Sequence, residues 1–285
     1  MTAVGRRAVE IPPPGPLQTM LARQIAAQAA LPPEERAEAL AYLQGSVMRY
    51  WATLRTLAHR LPADAAACRV LDLGSYPGHL TLLIRERFGC RLTGLTALTS
   101  PAFAETMARA GIPVHVHDVE RAALPFPAGS FDVVLGLDLI EHLTFNVPFV
   151  LAEACRVLRS GGTLLLTTPN LASLWNRWRL LRGRPIGKPL EDEQHPFYGP
   201  PPSGDGPPPA WLAMRHIREL TPSELRGLLR RSGFPDPQVA GLRFPVRWSS
   251  AGLSPLGYVS SLGFQALAQL VPNVRTSLVA AAAKP

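Results

Sequence analysis

The stretch Val70–Ile84, VLDLGSYPGHLTLLI, places an acid (Asp72) and two glycines (Gly74, Gly78) between a short apolar run and an amphipathic one. A run that ends in glycines and restarts as a helix near His79 leaves free backbone N–H groups at the turn, and glycine lets a ligand approach the backbone with no Cβ in the way. Such a turn suits a small ligand with a negative group. A dinucleotide pyrophosphate asks for G-x-G-x-x-G and a nucleoside triphosphate for G-x-x-x-x-G-K-[ST]; GSYPGH supplies neither, so hydride transfer and phosphoryl transfer both lose ground. Two histidines, His195 in EQHPFYG and His216 in MRHIREL, lie on or beside a long irregular segment that could close over a site.

These residues need elements to hold them. From Arg69 onward short apolar runs (RVLDLG, CRLTGLT, IPVHVHD, FDVVLGLD, TLLLTT) alternate with helical stretches (GHLTLLIRERF, PAFAETMARAG, VPFVLAEACRVLRSGG). That alternation predicts an α/β fold with a doubly wound, mostly parallel sheet and helices on both faces, whose ligands sit at the carboxyl ends of the strands. The rhythm breaks after Pro169-Asn170, which predicts a lid insertion over residues 171–216. It resumes in LTPSELRGLLRRSGF, a helix with Thr221 as N-cap, Pro222 in its first position, Glu224 as the capping-box acid and Gly233 at its end. VSSLGFQALAQLVP reads as a further helix and SLVAAAAKP as a closing strand. Residues 1–61 form an N-terminal helical extension ahead of the main domain at 62–285, broken at Pro32-Pro33. Its stripe of Val47, Tyr50, Trp51, Leu54, Leu57 and Leu61 has helical spacing and suits packing on a neighbour.

Composition narrows the class. The chain has 285 residues, 47% hydrophobic, and a net charge of +8 that favours acidic partners. It carries no run of five or six basic residues and no appended RNA-binding motif, so nucleic acid is not favoured. Cys68, Cys90 and Cys155 are odd in number and far apart, which excludes a disulfide framework or a cysteine zinc site. Proline follows Arg6 and Arg7 where a signal peptide would have its apolar region, and no apolar segment is long enough to span a bilayer; a cytoplasmic protein is expected. Within 174–188 the segment interleaves Trp175, Trp178, Leu180 and Leu181 with Arg177, Arg179, Arg182 and Arg184. This pattern fits either a helix lying on a membrane surface or gripping an anionic substrate, or a lid helix packing its aromatic face on the domain.

VLDLGSYPG resembles the first motif of class I S-adenosylmethionine-dependent methyltransferases. The blocks HDVERAALPFPAGSFDVVLGLDLIEHL and EACRVLRSGGTLLLTTPN follow in order and are similar to those of the group containing the ubiquinone-biosynthesis and natural-product O-methyltransferases. The resemblance runs from about Cys68 to Phe234 and implies a Rossmann-like seven-stranded sheet with S-adenosyl-L-methionine as cofactor. It implies that Asp72, Gly74, Ser75 and Gly78 line the amino-acid end of the cofactor, that Asp118 and Val119 meet the adenine, and that the ribose hydroxyls lie against Thr96, where the family has an acid. Thr99 or Glu120 would have to make up that contact. By the same analogy Asp138, Glu141 and His142 stand near the methyl group, with Asp138 also touching the cofactor. His142 is the better base because an unperturbed histidine titrates near neutrality; Glu141 and His142 could instead cap the following loop, and His216 could enter the site on closure. Glu141, His142 and His195 show no metal-ligand spacing, so no metal is expected.

The expected activity is methyl transfer to an oxygen, or less readily a nitrogen or carbon, of a small metabolite, glycan or lipid-linked acceptor. The competing readings are a catalytically degenerate binding module that keeps the fold, and an RNA methyltransferase.

Overall fold

The computed structural model describes residues 11–26, 33–61, 64–144, 146–186, 216–242, 263, 266–267 and 270–285. The apolar runs become strands and the amphipathic runs helices. In chain order these are α1 (Pro14–Ala26), α2 (Pro33–Arg60), β1 (Arg69–Leu73), α3 (His79–Phe88), β2 (Arg91–Thr96), α4 (Pro101–Arg109) and β3 (Val114–Val116). They continue as β4 (Phe131–Leu137), α5 (Val147–Val157), β5 (Leu158–Pro169), α6 (Leu174–Leu181), α7 (Pro222–Arg231), β6 (Gln238–Gly241) and β7 (Ser277–Ala283).

The seven strands lie in the order β3-β2-β1-β4-β5-β7-β6, and only β7 runs antiparallel to its neighbours. SLVAAAAKP is thus the closing strand. The chain winds from β1 to β2 and β3 on one side, then returns to place β4 on the other, with Leu73 opposite both Leu95 and Gly136. The winding direction reverses between β1 and β4, and a crevice at the carboxyl ends of these strands is the natural ligand site.

Strand alternation divides the core between two faces. Val70 joins one apolar cluster, whereas Leu71 and Leu73 join the other. The first cluster includes Leu17, Leu21 and Ile25 of α1 and Val47, Tyr50, Leu54 and Leu57 of α2, together with Leu83 and Ile84 of α3. The predicted stripe on α2 therefore packs against the same core as the sheet, with Trp51 half-buried at its margin. The second cluster takes Val150, Leu151 and Ala154 of α5 and Leu225 and Leu229 of α7.

The start of α7 has the expected capping box. Thr221 Oγ1 accepts from the Glu224 N–H (3.3 Å), and the Glu224 carboxylate accepts from the Thr221 N–H (2.9 Å). Thr221→Ala should cost about 1 kcal/mol of stability, measured by urea unfolding. No helix among the described residues is long and apolar enough to cross a membrane. Most of the predicted lid, including His195, and most of VSSLGFQALAQLVP lie outside the described residues.

Candidate active site

The turn after β1 is fixed to β2 by its own backbone: the N–H groups of Gly74 and Ser75 both donate to the Leu95 carbonyl (2.8 and 3.2 Å). Gly74 (φ 78°) and Gly78 (φ 91°) occupy backbone conformations that disfavour a side chain. Their neighbours are protein atoms as well. A Cβ on Gly78 would fall 3.2 Å from the Phe103 ring, and one on Gly74 would fall 3.0 Å from Leu139 Cδ1. The glycines thus serve the packing of α4 and of the β4 loop on this turn, beyond the access for a ligand that the sequence suggested.

Asp72 points to the α3 face of the sheet and is 4% exposed. Thr81 Oγ1 donates to its Oδ2 (2.6 Å), but burial dominates and pushes the carboxyl up to about 6. Beside it, the Ser75 hydroxyl is buried with no hydrogen-bond partner among the described residues. It nests over Gly94, where a Cβ would stand 2.8 Å from Ser75 Oγ. A buried carboxylate with no cation and a buried hydroxyl with no partner among the described residues, together at a strand end, ask for a polar, positively charged ligand group.

Thr96 ends β2 and is buried; its Oγ1 accepts from the Leu98 N–H (3.1 Å). After β3, Asp118 Oδ1 accepts from the Glu120 N–H (3.0 Å) and Oδ2 meets Arg121 Nε (3.2 Å), while Val119 turns into the core. Glu120, one candidate for the contact missing at Thr96, is engaged with backbone groups. Its two oxygens accept from the N–H groups of Thr144 (2.8 Å) and Asn146 (2.9 Å), so its charge holds the loop entering α5.

The end of β4 carries the second constellation. Asp138 adopts φ 54°, a strained conformation for a residue with a side chain. The strain is held from two sides. Thr167 Oγ1 donates to Asp138 Oδ1 (3.1 Å), and Arg49 Nε from α2 meets Oδ2 (2.7 Å). Arg49 escaped the sequence reading. Its only signal was a cation at the edge of the buried stripe on α2, and the partner was unknowable before folding. Glu141 is 1% exposed and sits in a short 3-10 turn; its Oε2 accepts from Thr168 Oγ1 (3.0 Å), and its Oε1 has no hydrogen-bond partner among the described residues. Burial and the nearby Asp138 carboxylate push the Glu141 carboxyl up to about 8.

The structure brings His216 to His142, their rings 5.0 Å apart and inclined at 73°. The Glu141 carbonyl accepts from the Ile217 N–H (2.7 Å), which pins the segment after the lid onto the β4 loop. His216 Nδ1 lies 3.3 Å from Glu219 Oε1. Glu141, His142 and His216 offer ligand atoms within 4.8 Å of one another, a grouping with no counterpart in their sequence spacing.

The family model of a methyltransferase domain matches residues 39–238. The chain belongs to this methyltransferase domain family. It is 30% identical over 198 residues to a protein of Mycobacterium tuberculosis described as a probable S-adenosylmethionine-dependent methyltransferase, covering 69% of this chain and 60% of that protein. A counterpart in Mycolicibacterium smegmatis is 31% identical over 209 residues, covering 73% and 66%. The match thus spans about 60% of the length of the first of these relatives. A ubiquinone biosynthesis O-methyltransferase of Rhizobium etli is 30% identical over 111 residues, covering 38% of this chain and 44% of its own. Among solved structures, a SAM-dependent methyltransferase from Thermotoga maritima superposes with a TM-score of 0.55 at 17% identity, covering 94% of this chain and all of its own. An N-methyltransferase of Burkholderia thailandensis with bound S-adenosylhomocysteine gives 0.51 at 18% identity, covering 99% and 98%. These likenesses establish a Rossmann-like methyltransferase fold.

Proposed function

We propose that the chain is an S-adenosylmethionine-dependent methyltransferase whose acceptor site is framed by the end of β4 and the segment after the lid, and that its acceptor presents an oxygen on a small molecule, glycan or lipid-linked group. The observation that carries the reading is the buried Asp72 carboxylate, bonded to Thr81 but with no cation beside it among the described residues, next to the Ser75 hydroxyl, which has no hydrogen-bond partner among them, at the point where the winding of the sheet reverses. These residues fit a cofactor whose amino-acid end is cationic. Asp72, Gly74, Ser75 and Gly78 would hold that end, Thr96 the ribose, and Asp118 with Val119 the adenine. When bound, the cofactor supplies a methyl group on a positively charged sulfur.

The residues of the chain do the rest. Asp138, held by Arg49 and Thr167, fixes the β4 loop against the cofactor crevice. His142 takes the acceptor's proton, and His216 stands against it with Glu219 orienting its ring. Glu141, protonated near neutrality in its buried setting, adds no second negative charge beside Asp138.

Calorimetric titration with S-adenosylmethionine tests this reading; no heat and no rise in melting temperature on addition would support a binding module that has lost the cofactor. Thr96→Asp is the sharper arm. A carboxylate there makes two charge-assisted bonds to a ribose where the hydroxyl makes one, so affinity should rise by roughly tenfold or more.

One observation favours a second use of the same side chains: Glu141, His142 and His216 are a set that a zinc-class cation takes. A chelator separates the two uses. Turnover unchanged in EDTA supports proton transfer by His142, whereas loss restored by Zn2+ or Mn2+ assigns the cluster to a cation that orients the acceptor.

A further inference from the structure

The apolar stripe on α2 is flanked by a polar one. Ser46, Arg49 and Thr53 follow one another at three and four residues and so share one side of the helix. That side is turned to the protein, since Ser46 is 4% and Thr53 1% exposed. Polar groups placed so need partners. Arg49 Nη2 donates to Ser46 Oγ (3.2 Å), the guanidinium lies 5.9 Å from the centre of the Tyr50 ring, and Nε meets Asp138 Oδ2 at 2.7 Å. The two charged side chains are 27% and 16% exposed, so the pair is more shielded from water than one on the open surface.

The pair holds a bend that local preference opposes. At φ 54° Asp138 keeps a conformation that a residue with a side chain leaves unless its surroundings fix it. Leu139, the next residue, packs on the turn after β1: a Cβ on Gly74 would stand 3.0 Å from Leu139 Cδ1. On the other side the Leu139 carbonyl accepts from the His142 N–H (3.0 Å). One line of contacts therefore runs from α2 through Asp138 and Leu139 to the Gly74 turn, and branches to the loop that carries Glu141 and His142. Both walls of the crevice between β1 and β4 depend on this bend.

We propose that Arg49 is a positioning residue for the cofactor crevice: from the N-terminal extension it locks Asp138 in its left-handed conformation, and so sets how Leu139 seats on the Gly74 turn and how tightly that turn holds S-adenosylmethionine. The effect on the cofactor rests on the reading proposed above; the effect on the bend does not. The extension is then a working part of the site. The apolar stripe of α2 anchors the helix on the core, and Arg49 carries that anchorage to the end of β4.

The test is a double-mutant cycle on the full chain, read by amide hydrogen exchange without cofactor and by calorimetric titration with S-adenosylhomocysteine. Arg49→Met keeps the packing of the long stem and removes the charge. The amides of residues 138 and 142, bonded to the Thr167 and Leu139 carbonyls, should then exchange about tenfold faster, and S-adenosylhomocysteine should bind about tenfold more weakly. Arg49→Lys keeps a cation at the site and should recover most of both losses. Asp138→Gly adopts a positive φ without strain and has no carboxylate to hold, so adding Arg49→Met to it should change either reading by less than about twofold. The proposal is overturned if Arg49→Met exchanges at these amides as the parent does, or binds S-adenosylhomocysteine as tightly as a parent that binds it. It is equally overturned if Arg49→Met costs as much in the Asp138→Gly background, since Arg49 would then only support α2. A parent that gives no heat with S-adenosylhomocysteine refutes the methyltransferase reading, and the exchange readings then decide the role of Arg49 by themselves.

Discussion

Asp72→Asn is expected to leave a protein that is more stable without cofactor at neutral pH and nearly unable to bind it. Both halves follow from one carboxylate. In the folded chain burial raises its pKa from 3.8 to about 6, so the ionised form is the unfavourable one. The sign follows directly. Between these two values the folded state binds more protons than the unfolded one, so the stability that this group contributes is fully present below about pH 4 and is lost as pH rises towards 6. A shift of about two units corresponds to a penalty on the order of 3 kcal/mol, carried in full at pH 7. Asparagine keeps an oxygen to accept from Thr81 and never ionises. Urea unfolding of the cofactor-free proteins should show the variant ahead at pH 7 and the difference fading near pH 4. Losing a charge-assisted contact to a cationic ligand should weaken S-adenosylmethionine binding by about a hundredfold or more. Equal stability of the two proteins at pH 7 would mean that Asp72 is solvated in a way the buried site does not show.

The second large effect is expected at His142. Replacing it with Ala should lower kcat by roughly a hundredfold to ten-thousandfold if it removes the acceptor's proton, with the heat of cofactor binding unchanged because the Asp72 turn is untouched. His216→Ala should give a smaller loss. His216 stands against the His142 ring and is held by Glu219, so its removal loosens the geometry without removing the base. His142→Gln keeps the polarity and much of the bulk but cannot accept a proton at neutral pH, and it should be as slow as His142→Ala. If His142→Gln retained most of the activity, the imidazole would be a structural contact and the proton would leave by another route.

The stability cost carried by Asp72 belongs with the strain at Asp138 and the buried Glu141. All three sit at the carboxyl ends of β1 and β4, where the local conformation or charge state costs folding energy that the surrounding packing offsets. Along the inner strands β1, β2, β4 and β7 local preference and tertiary environment agree, since these strands are mostly buried, whereas the edge strand β3 leaves Val116 61% exposed.

Local pattern by itself determined the fold class, the order of strands and helices, the capping box at Thr221 and the turn at Asp72, because each depends on residues close in the chain whose periodicity, glycines and caps act over a few positions. The acid and the histidine at the end of β4, Asp138 and His142, came from the resemblance to the methyltransferase family and not from local pattern. Contacts between distant segments could not be read this way. Arg49 reaches Asp138 only because α2 packs on the sheet, and His216 meets His142 only because the Ile217 N–H bonds to the Glu141 carbonyl. Glu120 shows the same limit from the other side, since an acid next to a ligand motif turned out to hold the backbone before α5. The direction in which α6 faces was likewise undetermined, because its pattern of Trp, Leu and Arg is identical whether the apolar side turns inward or outward. What α6 sets against the rest of the fold is decided by long-range contacts, such as that of Asn176 Nδ2 with the Glu219 carboxylate (3.4 Å), 43 residues further along the chain.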